Sequence, residues 1–295
     1  MERKGQVVKS VVASFRGLES VAKSKMAKGC FFERGRSCKE GKIEEWLRGY
    51  EESDFSFGEI ATTQAQIATS KNQCDADCED KLCKDIASGV DNIPDACEKL
   101  VACLPESFRE NVRSDAESIA NMCVRLCPDI PWLTFRLEIV QYDACWRWHQ
   151  DAYVGRAIIT YVGPGTYCCN DQDVHWDQLD SIQDDRNNSS VSASSVKQMK
   201  TNSVLLMKGD TWPNICGKGL VHKSPEVKGN PPKRFILKVD LNKFRPPLDF
   251  DEESSDDEEN ESGNEDRQPN RGLLKRLETS GGFKSARAWK VPRRA

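Results

Sequence analysis

Ala144-Cys145-Trp146-Arg147-Trp148-His149-Gln150-Asp151 is the stretch on which the fold turns. Read as a strand, alternate residues share a face, so Cys145, Arg147, His149 and Asp151 project one way while Trp146, Trp148 and Gln150 project the other. His149 and Asp151 are then placed to bind one ion together. The chain has only three histidines, at 149, 175 and 222, so the position of each is informative. His222 follows a strand and a Gly-Asp turn in Gly219-Leu220-Val221-His222, which makes it the candidate third ligand. Two imidazoles and one carboxylate leave the remaining coordination positions open, as non-haem iron(II) requires for substrate and oxygen.

Around this stretch the texture is that of a β domain. Leu133 to Gln141, Ala144 to His149, Arg156 to Val162, Ser203 to Lys208 and Arg234 to Leu241 are short, rich in β-branched and aromatic residues, and bounded by turn signals. Gly163-Pro164-Gly165-Thr166, Lys208-Gly209-Asp210 and Gly229-Asn230-Pro231-Pro232 suit those turns. Such spacing predicts a sandwich, jelly roll or barrel and argues against a parallel α/β sheet. Residues 181 to 202, rich in Ser, Asn, Asp and Gln, read as a flexible excursion between strands. Arg234 opens the strand after His222. In a jelly roll these would lie side by side, letting a guanidinium face the cavity and hold the far carboxylate of a dicarboxylate cosubstrate in a bidentate fork. Arg156, opening an earlier strand, competes for that role.

Before residue 128 the pattern is mainly helical. Ile43, Trp46 and Leu47 recur at helical spacing, residues 51 to 72 are polar and turn-rich, and Asp77 to Leu126 is helical again, divided by Pro94 and Pro105. Residues 1 to 29 carry seven Lys or Arg against two Glu, with Val7, Val8, Val11, Val12, Phe15 and Leu18 near helical spacing. An amphipathic helix packed on the domain explains them, with an organelle-targeting segment as the alternative. Beyond Pro247 the composition cannot bury a core. Eleven of the eighteen residues 249 to 266 are acidic, and nine Lys or Arg against one Glu follow in 267 to 295, so a disordered tail is expected. Ser254 and Ser255 lie in an acidophilic phosphorylation context, though acidic tails also hold serines by chance.

The expected architecture is therefore α+β. A helical N-terminal half packs on a C-terminal double-stranded β-helix, or jelly roll, and a disordered tail follows. The expected segments are residues 1–29, a basic helix or targeting segment; 30–127, helical; 128–245, the metal-site domain; and 246–295, an acidic then basic tail. No apolar run of about 18 residues is present, and the N-terminus lacks an apolar core with a cleavage site, so an intracellular, cytoplasmic protein is expected. Thirteen cysteines in a chain of this size and compartment are expected to be reduced. Cys74/Cys78 and Cys123/Cys127 each put two thiols on one helical face. A four-thiolate zinc site is one reading and semi-buried free thiols the simpler one. His175 reads as a surface histidine, with the entrance to the site as its alternative place. Trp146, Trp148, Trp176 and Trp212 either shape a substrate pocket or fill the core. The basic run near the end has acid directly upstream, so no specific nucleic-acid binding and no membrane binding are expected; the tail is a candidate for binding a protein partner.

Taken in order, His149-Gln150-Asp151, Ile158-Ile159-Thr160-Tyr161-Val162 with its glycine turn, Val204 to Met207 with Gly209-Asp210, His222 and Arg234 resemble the iron(II)/2-oxoglutarate dioxygenase superfamily. The resemblance implies iron(II) on His149, Asp151 and His222, with 2-oxoglutarate anchored by Arg234. The serine commonly found two residues after that arginine is Ile236 here, so Thr160, Tyr161 or Ser224 has to supply the second donor. Arg136-Leu137-Glu138, Cys145 to Asp151, Thr160 to Thr166, Met207-Lys208-Gly209 and Leu220-Val221-His222-Lys223-Ser224-Pro225 with Arg234 resemble more closely a family of bacterial and algal proteins known only as a domain of unknown function. Some bacterial relatives are linked with zinc supply. That keeps open a non-catalytic metal-binding protein serving zinc handling or as an interaction scaffold, and a zinc hydrolase. The substrate is not legible.

Overall fold

A computed structural model describes residues 8–10, 14–35, 40–49, 59–67, 92–140, 145–181, 183–215, 218–225 and 234–245. These fall in one unit, Met1–Phe250; the second, Asp251–Ala295, lies outside the described residues. Outside them too lie Cys74, Cys78, the residues 77–91 read as helical, and the charged tail expected to be disordered.

The centre of the fold is strand β10 (Arg234–Asn242), whose register explains the rest. It pairs antiparallel with β4 (Trp132–Val140) on one side and β5 (Gly155–Val162) on the other. Beyond β5 come β8 (Val204–Lys208), β2 (Gly29–Phe32) and β1 (Val8–Ser10), and beyond β4 comes β3 (Glu59–Gln66), giving the seven-stranded order β1-β2-β8-β5-β10-β4-β3. All pairings are antiparallel except β1 with β2. Alternation along β10 sends Phe235, Leu237, Val239 and Leu241 into the main core. It leaves Arg234, Ile236, Lys238 and Asp240 for the opposite face.

Helices cover the apolar face. They are α1 (Phe15–Ala22), α2 (Glu40–Arg48), α3 (Ile93–Val101) and α4 (Glu106–Leu126). Ser14 caps α1 by accepting from the Gly17 N–H at 3.0 Å, and Asn92 caps α3 at Asp95. Pro94 sits in the first turn of α3, where its missing N–H costs nothing. Phe108, Val112, Ala116, Ile119, Ala120 and Cys123 form the buried stripe of α4. Trp46 of α2 and Phe108 of α4 close on Phe235 at ring separations of 5.4 and 6.5 Å, and Tyr161 stacks beneath it at 5.5 Å.

A three-stranded sheet, β7-β6-β9, is built from Lys197–Gln198, Tyr167–Cys168 and His222–Lys223. Cys168, Met199 and Leu220 from its neighbourhood pack with Val8, Phe31, Ile158, Leu205 and Met207 of the large sheet. Between Cys168 and Lys197 run two short helices, α5 (Trp176–Leu179) and α6 (Asp184–Asn188).

The structure is thus mixed α and β, with a large sheet and helices, and differs from the sequence reading in five places. Residues 59–66 of the polar stretch form edge strand β3, because Ala65 is buried while an edge tolerates its polar companions. Val8 starts a strand, and the helix begins only after the Ser14 cap. Strands β1 to β3 come from the first half, so the sheet is assembled from both halves. The described residues of 181–202 include the buried Asn187, Ser190, Val191 and Met199 and are built structure. The expected strand from Ala144 to His149 is absent among its described residues: Cys145 adopts φ 55°, and only His149 makes a strand-like bridge. Among the described residues no helix is long and apolar enough to cross a membrane.

Candidate metal centre

His149 and His222 are cross-strand partners. Each backbone N–H donates to the other's carbonyl at 3.0 Å, the closed antiparallel pair that places both side chains on one face. Their ring centroids lie 4.4 Å apart. Asp151, two residues on, brings Oδ1 to 3.9 Å from His149 Nε2 and Oδ2 to 3.6 Å from His222 Nε2. One ligand atom from each residue lies within 4.8 Å of the other two, the one such group of three His, Cys, Asp or Glu among the described residues.

Local hydrogen bonds aim these groups. His149 Nδ1 lies 2.7 Å from the Arg147 carbonyl and His222 Nδ1 lies 3.1 Å from the Leu220 carbonyl. A carbonyl only accepts, so each Nδ1 carries a proton and Nε2 is the nitrogen turned toward Asp151. The backbone before His149 is clamped by Asn187, which accepts from the Trp148 N–H and donates to the Trp148 and Leu179 carbonyls. Asn187 was hidden in a stretch that composition marks as excursion, and nothing in its sequence context signals the role.

On the other side of Asp151 the turn after β8 closes in. The Gly209 N–H donates to Val154 and the Asp210 N–H to the Asp151 carbonyl. A Cβ on Gly209 would stand 1.8 Å from the Tyr153 carbonyl oxygen, and backbone cannot swing aside as a side-chain tip can. Gly209→Ala is therefore expected to destabilise the protein by about 3 kcal/mol or more, at the top of the overpacking range. In a chain this size that lowers Tm by roughly 6 °C or more in a thermal melt.

Burial dominates the electrostatics. It pushes the His222 pKa down to about 4, partly offset by Asp151. Burial would raise Asp151, but the Arg156 guanidinium, with the imidazoles of His222 and His149, holds its carboxyl below the usual range. Near neutral pH the pair is a neutral imidazole and an ionised carboxylate, the states a cation needs. Because the unfolded chain protonates His222 near 6.5 and the folded one only near 4, this contribution to the metal-free protein's stability is present above pH 6.5. It is lost as pH falls toward 4. Urea unfolding at pH 7 and pH 5 is expected to show the loss, and His222→Ala to reduce it.

Of the two candidate arginines, Arg156 touches the triad and Arg234 opens β10, the strand that carries Asp240, the partner of Arg156. Arg156 donates to both oxygens of Asp240 and reaches Asp151 Oδ1 with Nη1 at 3.4 Å, so it is engaged within the protein. Arg234 is 1% exposed, and its hydrogen bonding among the described residues is limited to Nη2 with Thr160 Oγ1 at 3.5 Å. Its buried Nε has no partner among the described residues, and burial pushes its pKa down to about 10 against the pull of Glu138. β9 and β10 belong to different sheets, so Arg234 does not follow His222 side by side as the jelly-roll reading expected.

The other expected residues divide. Thr160 shares the Arg234 face. Tyr161 does not: it points to the helical side and donates to Asp115 Oδ2 at 2.9 Å, as strand alternation requires. The Ser224 backbone N–H donates to the Cys145 carbonyl. His175 is exposed at the start of α5. Trp148 and Trp212 are buried in apolar clusters, whereas Lys28 and Lys218 lie over the ring of Trp176. Cys123 and Cys127 are buried free thiols; burial pushes Cys127 up to about 12 and Cys123 further, which keeps both protonated.

A family profile described as "Protein of unknown function (DUF1826)" matches residues 62–240. No curated protein gives a significant match. Among solved structures, the chain is similar to dioxygenase for auxin oxidation 1 from Arabidopsis thaliana in its 2-oxoglutarate complex, at 13% identity and TM-score 0.42 over 82% of this chain and 93% of that one. It is also similar to a Pseudomonas putida prolyl-4-hydroxylase, at 8% identity and TM-score 0.36 over 79% and 100%.

Proposed function

The chain belongs to the DUF1826 family, and we propose that it is an iron(II)/2-oxoglutarate-dependent oxygenase whose two sheets are the layers of a jelly roll. The observation that carries this reading is a pair of complementary vacancies in the bonding. Among the described residues, Asp151 Oδ2 is buried with no donor beside two imidazoles presenting Nε2, and Arg234 Nε, on the Asp240 face of β10, is buried with no acceptor. A cation satisfies the first and an anion the second. The donor set of two nitrogens and one carboxylate fits iron(II) with open positions. Iron(II) with 2-oxoglutarate and dioxygen supplies oxidative attack on an unactivated carbon–hydrogen bond.

The chain's own work is placement. His149, Asp151 and His222 hold the metal with their ring orientations fixed by the Arg147 and Leu220 carbonyls. Arg234 pairs with the far carboxylate of 2-oxoglutarate, and Thr160, within reach of its guanidinium, supplies the donor that Ile236 lacks. Arg156 is the poorer anchor because Asp240 already occupies its fork. Burial of Asp151, His222 and Arg234 keeps water from these groups and strengthens their charge interactions, while His149, half-buried, stands on the open side.

Anaerobic titration tests this directly. One iron(II) per chain and iron-dependent binding of 2-oxoglutarate are expected. Retention of zinc in preference to iron, with no 2-oxoglutarate binding, would turn the reading to zinc handling or hydrolysis.

A further inference from the structure

Asp240 is fully buried on the site face of β10, accepting from Arg156 Nε and, at 3.1 Å, from its Nη2; Arg136 Nη1 joins at 2.7 Å. Two donors of one planar fork are thereby fixed, and the guanidinium cannot rotate. Its remaining nitrogen, Nη1, reaches Asp151 Oδ1 at 3.4 Å, while Oδ2 of the same carboxylate has no donor among the described residues. The Tyr153 ring lies 4.7 Å from the guanidinium carbon and limits its travel on that side. The two oxygens of Asp151 are thus distinguished by the protein before any ligand arrives.

We infer that Arg156, clamped by Asp240, is a positioning residue that restricts Asp151 to coordination through Oδ2 alone. The inference rests on the metal-site reading above. A carboxylate free to chelate through both oxygens fills two positions of a six-coordinate ion. With Oδ1 held by Arg156 it fills one, and a position stays available to a small ligand. The arrangement also accounts for an expensive feature of the core. An arginine and an aspartate buried together seldom repay their desolvation by stability alone, so a role at the site explains their presence.

The test uses cobalt(II), a redox-stable probe whose visible absorption reports coordination number, on the 295-residue chain. Arg156→Gln alone removes a positive charge beside a metal and thereby favours the cation, which would mask lost positioning. The informative variant is therefore Arg156→Gln/Asp240→Asn, which leaves net charge unchanged. It is expected to bind cobalt about ten- to a hundredfold more weakly, the usual cost of losing an outer partner of a ligand. Its cobalt-saturated spectrum is expected to differ in intensity and shape from wild type. A spectrum superimposable on wild type, with affinity within twofold, would overturn the clamp while leaving the triad standing. Absence of cobalt binding by wild type would overturn both. Should the double variant fail to fold, Arg156→Lys keeps the charge and loses the fork. The altered spectrum is expected there too, and a wild-type spectrum overturns the proposal.

Discussion

Arg234→Met is expected to lose 2-oxoglutarate binding while the metal-free protein becomes as stable as wild type or more so. Both effects follow from one fact: the guanidinium is 1% exposed, has a partnerless Nε, and makes one long hydrogen bond to Thr160. Removing one partner of a buried charge pair costs roughly 2–5 kcal/mol, so the cosubstrate is expected to bind about thirtyfold more weakly or worse. Without that anion the same guanidinium is a buried, under-partnered charge, and burial already pushes its pKa down to about 10. Methionine fills similar space with no charge to desolvate, a change worth about 0 to 4 kcal/mol of added stability in comparable buried sites. Calorimetric titration and a thermal melt on the same variant separate the two effects. Equal loss of stability and binding would mean that Arg234 is a structural residue.

His222→Ala is expected to abolish measurable iron(II) binding with little change in the backbone. In the proposed site the protein supplies three ligands, and loss of one is expected to exceed the roughly 10–100-fold penalty known for outer partners. The bridge to His149 survives the substitution, because it is made by main-chain groups. Asp151→Asn is expected to lose metal for a different reason, the missing negative charge. Equilibrium dialysis against iron(II), followed by metal analysis, reads both. Retention of stoichiometric metal by His222→Ala would remove this residue from the ligand set.

How much of this was legible varied with the length of the element. β4, β5, β8 and β10 run five to nine residues, enough for β-branched content and turn signals to show. β6, β7 and β9 have two residues each and no periodicity to read. The triad was legible because histidines are scarce, and the spacing of His149 and Asp151 puts them together even though the segment is not a regular strand. What holds the triad was not. Lys238 and Asp240 alternate with Leu237, Val239 and Leu241, a pattern that reads as an ordinary solvent face. Only the fold shows that face to be a buried one, where Lys238 pairs with Glu138 and Asp240 with two arginines. Tyr161 lies away from Arg234 because alternation sends Thr160 and Tyr161 to opposite faces of β5. Asn187 acts on main-chain groups 39 residues away, which local reading cannot reach.

Oxygen-dependent formation of succinate from 2-oxoglutarate is the most direct measurement of the proposed activity. The chain, purified anaerobically and loaded with iron(II), is expected to form succinate when oxygen is admitted, and His149→Ala prepared in parallel is expected to form none above background. Wild type that binds iron and 2-oxoglutarate yet forms no succinate, or His149→Ala that forms it at the wild-type rate, would contradict an oxygenase built on this site.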